Sequence, residues 1–140
     1  MFNAFWKGNT ALAGFKEAIT NAWKKRAGEN RGKGFVKGID GRKIWIRSEH
    51  SVVNAYFQST GSIVVKTAIV ILDKLVRDAK LNAHQVIVMH DECEYECSQE
   101  DADKLCELTE IAFREAGERL GIRVPITASP KLGKNWREVH

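Results

Sequence analysis

The chain has 140 residues, 44% of them hydrophobic and 29% charged, with a formal net charge of +4 and a pI near 9.0. That is enough chain for one domain with its own core, and no apolar run approaches the ~20 residues of a membrane-spanning helix. Mild basicity permits a polynucleotide partner without requiring one. Cys93, Cys97 and Cys106 are an odd number of thiols, which points to reduced cysteines rather than a disulfide framework. The start, MFNAFWKGNT, lacks the apolar core of a signal peptide, so a cytoplasmic location is expected.

Thr10 reads as a helix N-cap, and Leu12, Phe15, Ile19 and Trp23 follow at helical spacing, which predicts an amphipathic helix from about Ala11 to Arg26. The next stretch, KKRAGENRGKG, is basic and glycine-rich. It reads as an exposed loop, either a solvated connection or a contact for phosphates. FVKGIDGRKIWIRS has the pattern of a hairpin, with Asp40-Gly41 as a two-residue turn and Arg42, Lys43 and Arg47 adding cations beside it. From Glu49 to Lys80 no proline interrupts the chain. Val53, Phe57, Ile63, Val64, Ala68, Ile71, Leu72 and Leu75 give one apolar helical face, so a long buried helix is expected, bent near Gly61.

HQVIVMH and CEYEC then form two short strands that reverse at Asp91-Glu92. Gln99 to Leu120 is a helix with Ser98 as its N-cap and Ala102, Leu105, Leu108, Ile111, Ala112 and Ala116 on its inner face. IRVPITASP reads as a last strand, with Pro125 favouring a sheet edge. The order predicts an α+β fold: an antiparallel sheet built from the two hairpins and the last strand, with long helices packed mainly on one face. No repeat, low-complexity segment or linker divides the chain.

VMHDECEYEC, Val88 to Cys97, sets a histidine, an aspartate and three glutamates at the end of an apolar strand. Adjacent carboxylates repel, and a bound cation would resolve that repulsion. Magnesium takes oxygen ligands, often one or two protein carboxylates completed by substrate phosphates, and a carboxylate held on a tight turn suits it. A solvated acidic turn is the plainer reading of the same residues. Cys93 and Cys97 near His90 lack the spacing of a common zinc knuckle and read as small apolar thiols in a sheet. No serine nucleophile elbow and no glycine-rich phosphate loop is present.

Three features in order resemble family A (Pol I-like) DNA polymerases. GIDGRKIWIRS is similar to the family's late Gly-Arg-Arg/Lys hairpin. NAYFQSTGSIVVKTAIVIL resembles the helix after it, which carries an Asn and, four residues on, a Gln; Asn54 and Gln58 match. VIVMHDECEYEC resembles the family's His-Asp-Glu hairpin, motif C. The ending PKLGKNWREVH is similar to the family's close through Gly133, Asn135 and Trp136, and the phage replicative branch is the nearest in pattern. One position departs: many members carry an arginine four residues before the Asn, where this chain has His50.

The resemblance implies a role for each matching position. Asp91 would be one of two aspartates that hold the catalytic Mg2+ ions, with Glu92 an auxiliary carboxylate and His90 a support for the primer 3′ end. Asn54 and Gln58 would contact the primer-template minor groove, and Arg42 and Lys43 the DNA backbone. Residues 35–140 would form the C-terminal palm subdomain, and residues 1–34 a remnant of the fingers segment. Nothing in the sequence resembles the strand with the other aspartate or the fingers helix that binds the incoming nucleotide. The expected partners are therefore primer-template DNA, deoxynucleoside triphosphates and an upstream polymerase fragment that completes the site, as in a split polymerase inactive alone. Self-association through exposed apolar surface is also expected, and no membrane. The alternative is a palm-derived, non-catalytic DNA- or protein-binding module.

Overall fold

The computed structural model describes residues 2–139. The chain divides into two compact units, Met1–Thr60 and Gly61–His140.

In the first unit, α1 (Phe2–Gly8) leads into α2 (Thr10–Glu29). The helix N-cap is Asn9 rather than Thr10, and the basic KKR segment continues as helix instead of opening a loop. Lys and Arg are good helix formers, so clustered charge alone does not end a helix. What ends it is a pair of left-handed residues, Arg31 (φ 52°) and Gly32 (φ 83°), with the Gly32 N–H donating to the Ala27 carbonyl at 2.8 Å.

β1 (Gly34–Lys37) and β2 (Lys43–Ile46) then pair antiparallel, with Phe35 opposite Trp45 and Lys37 opposite Lys43. The turn is longer than the Asp40-Gly41 dipeptide predicts. The Gly41 N–H donates to the Gly38 carbonyl at 3.0 Å, and the Gly38 N–H to the Arg42 carbonyl at 2.9 Å. Gly41 sits at φ 79°, which gives a three-residue loop with glycine at its left-handed position. The inner face of the hairpin buries Gly34, Val36 and Ile46. Val36 and Ile46 join Ile19 and Val52 in a core flanked by Phe15, Trp23 and Tyr56. Trp23 lies so close over Gly34 that a Cβ there would collide with its indole nitrogen, which donates to the Ile46 carbonyl at 3.1 Å.

A 3-10 turn (Glu49–Ser51) opens α3 (Val52–Asp78), whose residues from Gly61 onward belong to the second unit. Ile63, Val64, Ala68, Ile71 and Leu72 are buried as their spacing predicts, whereas Phe57 is 48% exposed. β3 (Ala83–Met89) and β4 (Glu92–Cys97) follow as an antiparallel pair, then α4 (Ala102–Arg119) and, near the end, α5 (Trp136–Val139). The second core joins Ala68, Ile71, Leu72 and Val76 of α3 with Ala83 and with Leu105, Leu108, Ala112 and Ala116 of α4. Ser98 is not itself the cap of α4. Its hydroxyl donates to Asp101, which also accepts the Asn82 N–H, so Asp101 ties the start of β3 to the start of the helix.

The class is α+β with antiparallel strands, as expected. The extent of the sheet differs: each hairpin is a two-stranded sheet of its own. The segment read as a last strand, IRVPITASP, holds no strand. Pro125 has no N–H to give a ladder, and Ile126 instead docks on α4, where a Cβ on Gly117 would come 2.7 Å from its Cγ1. Among the described residues no helix is long and apolar enough to cross a membrane.

Candidate functional site

The acidic hairpin is a strand, a tight turn and a strand, shifted by one residue from its sequence reading. Met89 pairs with Glu92, so the two-residue turn is His90-Asp91, and Glu92 opens β4. His90 adopts φ 53°, a left-handed conformation that L-residues other than Asn, Asp and His seldom take. The register also slips between Gln85 and Ile87, which leaves Val86 as a bulge residue. Bulge and strained turn together aim the tip of the hairpin, and both are features that cluster at functional sites.

The apolar run before the turn is not buried. Val86, Ile87, Val88 and Met89 are 55%, 39%, 47% and 46% exposed. Burial depends on what covers a strand, and among the described residues β3 has β4 on one edge and no strand on the other. Only Ala83 of β3 is buried, while Tyr95 and Cys97 of β4 pack on the core. His90, Asp91 and Glu92 all lie exposed at the open end.

Asp91 and Glu92 offer hard oxygen donors on consecutive residues, the ligand chemistry magnesium takes, and in the number it usually draws from a protein. Among the described residues no three His, Cys, Asp or Glu side chains converge into a metal-binding group. The thiols of Cys93, Cys97 and Cys106 do not extend the set, because sulfur is a soft donor and magnesium takes oxygen; burial pushes all three above the ordinary thiol pKa. A two-ion site on this hairpin therefore needs further oxygen ligands from substrate or from another segment. The Tyr95 hydroxyl is buried with no hydrogen-bond partner among the described residues, and burial, with Cys93 and Asp73 adding to it, pushes its pKa up to about 12.

The other four expected residues lie in the first unit. Arg42 ends the β1–β2 loop and pairs with Asp40, whose carboxyl it holds below the ordinary carboxylate range, chiefly through the side-chain hydrogen bond. Lys43 sets its ammonium 4.9 Å from the centre of the Phe35 ring. Asn54 and Gln58 are exposed one helical turn apart on α3, with exposed Phe57 beside Gln58. His50, at the departing position, lies in the 3-10 turn with Nε2 3.4 Å from the Ser48 hydroxyl.

The sequence reading passed over Phe35, Lys37 and Trp45. They share the outward face of the β1–β2 hairpin, opposite the buried Val36 and Ile46. Alternation carried the signal: Lys33, Phe35 and Lys37 on one side of the turn, Lys43, Trp45 and Arg47 on the other.

Residues 16–138 match the model of the family described as DNA polymerase family A. A DNA-directed DNA polymerase of Escherichia phage Phieco32 is 34% identical over 122 residues, which cover 82% of this chain and 20% of that protein. The DNA-directed DNA polymerase of Escherichia phage T7 is 29% identical over 153 residues, covering 97% of this chain and 21% of that protein. The chain thus spans about a fifth of the length of the curated relatives it matches. In three dimensions it resembles the POL domain of Pol1 from M. smegmatis, solved in complex with DNA primer-template and dNTP. The TM-score is 0.68 at 18% identity, over 80% of this chain and 21% of that one.

Proposed function

The chain belongs to DNA polymerase family A, and from that premise we propose that it is the palm portion of a template-directed DNA polymerase, active once an upstream segment completes its site. Residues 35–140 form the palm part and residues 1–34 the remnant of the fingers. The substrates are primer-template DNA and deoxynucleoside triphosphates. The observation that carries this reading is β3: apolar, more than a third exposed from Val86 to Met89, unpaired on one edge among the described residues, and leading into the turn that holds Asp91. Such a strand calls for a neighbour, and a neighbouring strand is where a second ligand carboxylate belongs. The same surface is where the isolated chain would self-associate.

Magnesium ions, when bound, neutralise the phosphates and stabilise charge on the attacking and leaving oxygens. Asp91 supplies an oxygen ligand from a turn that cannot relax without changing the His90 backbone. Glu92, next in the chain and already in the β4 ladder, adds negative charge beside it. The His90 imidazole hydrogen-bonds the primer terminus and orients its 3′ hydroxyl. Asn54 and Gln58, on one exposed stripe of α3, hydrogen-bond minor-groove acceptors that every base pair presents, so pairing geometry is checked without reading sequence. Arg42 and Lys43 take backbone phosphates, Arg42 through the donors Asp40 leaves available.

The test is a chimera. In the phage Phieco32 relative, the matching segment is replaced by this chain, and primer extension is measured with and without Mg2+. Magnesium-dependent extension is expected. Asp91→Ala should abolish it and leave primer-template binding within about twofold, since one exposed acid adds no affinity for phosphate. Extension by the Asp91→Ala chimera at the parent's rate would overturn the metal assignment. DNA binding with no extension from a folded parent chimera would favour a non-catalytic DNA-binding module.

A further inference from the structure

We propose that the outward face of the β1–β2 hairpin is a platform for single-stranded DNA, with Trp45, braced by Phe35, stacking on a base and Lys33, Lys37, Lys43 and Arg47 holding the adjoining phosphates. This goes beyond the polymerase reading, which sets Arg42 and Lys43 against the backbone of paired DNA. Its test needs neither the upstream segment nor a metal, so either reading can fail alone.

Trp45 is 57% exposed on a strand whose neighbouring residue, Ile46, is only 6% exposed. A large aromatic left in water beside a formed core is the informative kind of exposure. It stands opposite Phe35, with ring centroids 5.0 Å apart and planes tilted by 54°. The two rings brace one another, and Trp45 stays exposed. Arg26, whose guanidinium lies 5.0 Å from the Phe35 ring and donates to the Phe35 carbonyl, fixes the ring further.

Cations frame the pair. Lys37 and Lys43 are register partners at the turn end. At the other end Lys33 lines a shallow depression of about 330 Å³ beside Trp45, together with Glu29, Asn30 and Arg31. Arg47 continues the same alternation beyond β2. The nearby acids are largely occupied: Asp40 by Arg42 and Glu49 by Lys24, with Glu29 on the rim of the depression. Aromatic π-faces interleaved with cations are what an unpaired strand needs, because every base can stack and every phosphate can be neutralised. A duplex keeps its bases stacked on each other and would leave the Trp45 ring unused. An apolar protein partner would have to strip water from four cations, and interface cores are depleted in lysine.

The experiment uses the full chain in EDTA, with fluorescence anisotropy of labelled oligo(dT) and of a blunt duplex of the same length. Single strands should bind more tightly than duplex. Trp45→Ala should weaken oligo(dT) binding by about 5- to 150-fold without altering the salt dependence. Trp45→Phe, which keeps a π-face, should retain most of the affinity, and Trp45→Leu, which keeps only apolar bulk, should not. The Lys37→Gln/Lys43→Gln double variant should flatten the log–log salt slope by roughly 1.4, about 0.7 for each lost phosphate contact. Because Phe and Leu are compared at the same exposed site, a general loss of folding, followed by circular dichroism, is separated from loss of stacking. Duplex binding as tight as single-strand binding, equal affinity for the Phe and Leu variants, or no binding of either DNA would overturn the proposal. The last result would leave the face to a protein partner.

Discussion

Replacing His90 with glycine should stabilise the fold while damaging the function proposed for it. His90 holds φ 53° at the first position of a two-residue turn and is exposed. An L-residue in the left-handed region costs about 1–2 kcal/mol, toward the lower end for histidine. Glycine removes that cost and adds about 0.5–1 kcal/mol of chain entropy lost on folding. The net gain is about 0.5 kcal/mol, which for a chain of this size raises Tm by about 1–2 °C.

Lys80 supplies the control. It sits at φ 56° just past α3, where the Leu81 N–H donates to the Val76 carbonyl at 3.1 Å. The same closure after α4 uses Gly121 at φ 67°, with Ile122 bonding Gly117 at 2.9 Å. Lys80→Gly should therefore gain a similar amount, and the two substitutions should add to within about 0.5 kcal/mol. Thermal melts monitored by circular dichroism measure both, and the chimera's extension rate separates them: His90→Gly should lower it, Lys80→Gly should not. A lower Tm for His90→Gly, beside a gain for Lys80→Gly, would mean that the imidazole makes a stabilising contact and that the turn stores no strain.

Two more outcomes follow from packing and burial. Gly34→Ala should destabilise the first unit by about 1–3 kcal/mol, because its Cβ would press on the Trp23 indole; urea denaturation read by tryptophan fluorescence measures it, and an unchanged midpoint would refute the contact. Tyr95→Phe should raise stability by up to about 1 kcal/mol, since it deletes a buried hydroxyl without a partner among the described residues; a lower urea midpoint would show that the hydroxyl is bonded. The same tyrosine gives a pH signature. Its pKa rises from 10.0 to about 12 in the fold, so its contribution is complete below about pH 10 and is lost as pH climbs through about 12. Tyr95→Phe should make the alkaline limb of the stability curve shallower, and an unchanged limb would refute the assignment.

How much of this was legible in the sequence depended on whether the deciding physics was local. The hairpins, the long helix after Ser51 and the inner face of α4 follow from spacing, and spacing was enough. The errors are of another kind. The reversal expected at Asp91-Glu92 falls at His90-Asp91, because Met89 pairs with Glu92 and His90 takes the left-handed conformation a two-residue turn needs. The Asp40-Gly41 turn needed an extra residue so that glycine, not aspartate, takes the left-handed position. IRVPITASP has strand-forming residues but found its partner in α4 through Ile126 and Gly117. The His-Asp-Glu cluster was legible as chemistry, since few structural needs put those residues together at a strand end. The ligands that would complete it lie outside any local pattern.

β3 shows best where sequence and structure inform each other. Gln85 to Met89 carries no charge, proline or glycine. Soluble proteins usually interrupt a free strand edge with just such residues. Alone, the run reads as a buried strand; in the structure its four apolar side chains stand between 39% and 55% exposed. Covering them would gain about 1 kcal/mol each, several kcal/mol in all, comparable with the net stability of a small domain. An uncharged edge beside a carboxylate on a left-handed turn is what the proposed palm reading expects of a strand that takes a neighbour. The gain from covering β3 rests on burial alone and is independent of the catalytic role proposed for Asp91.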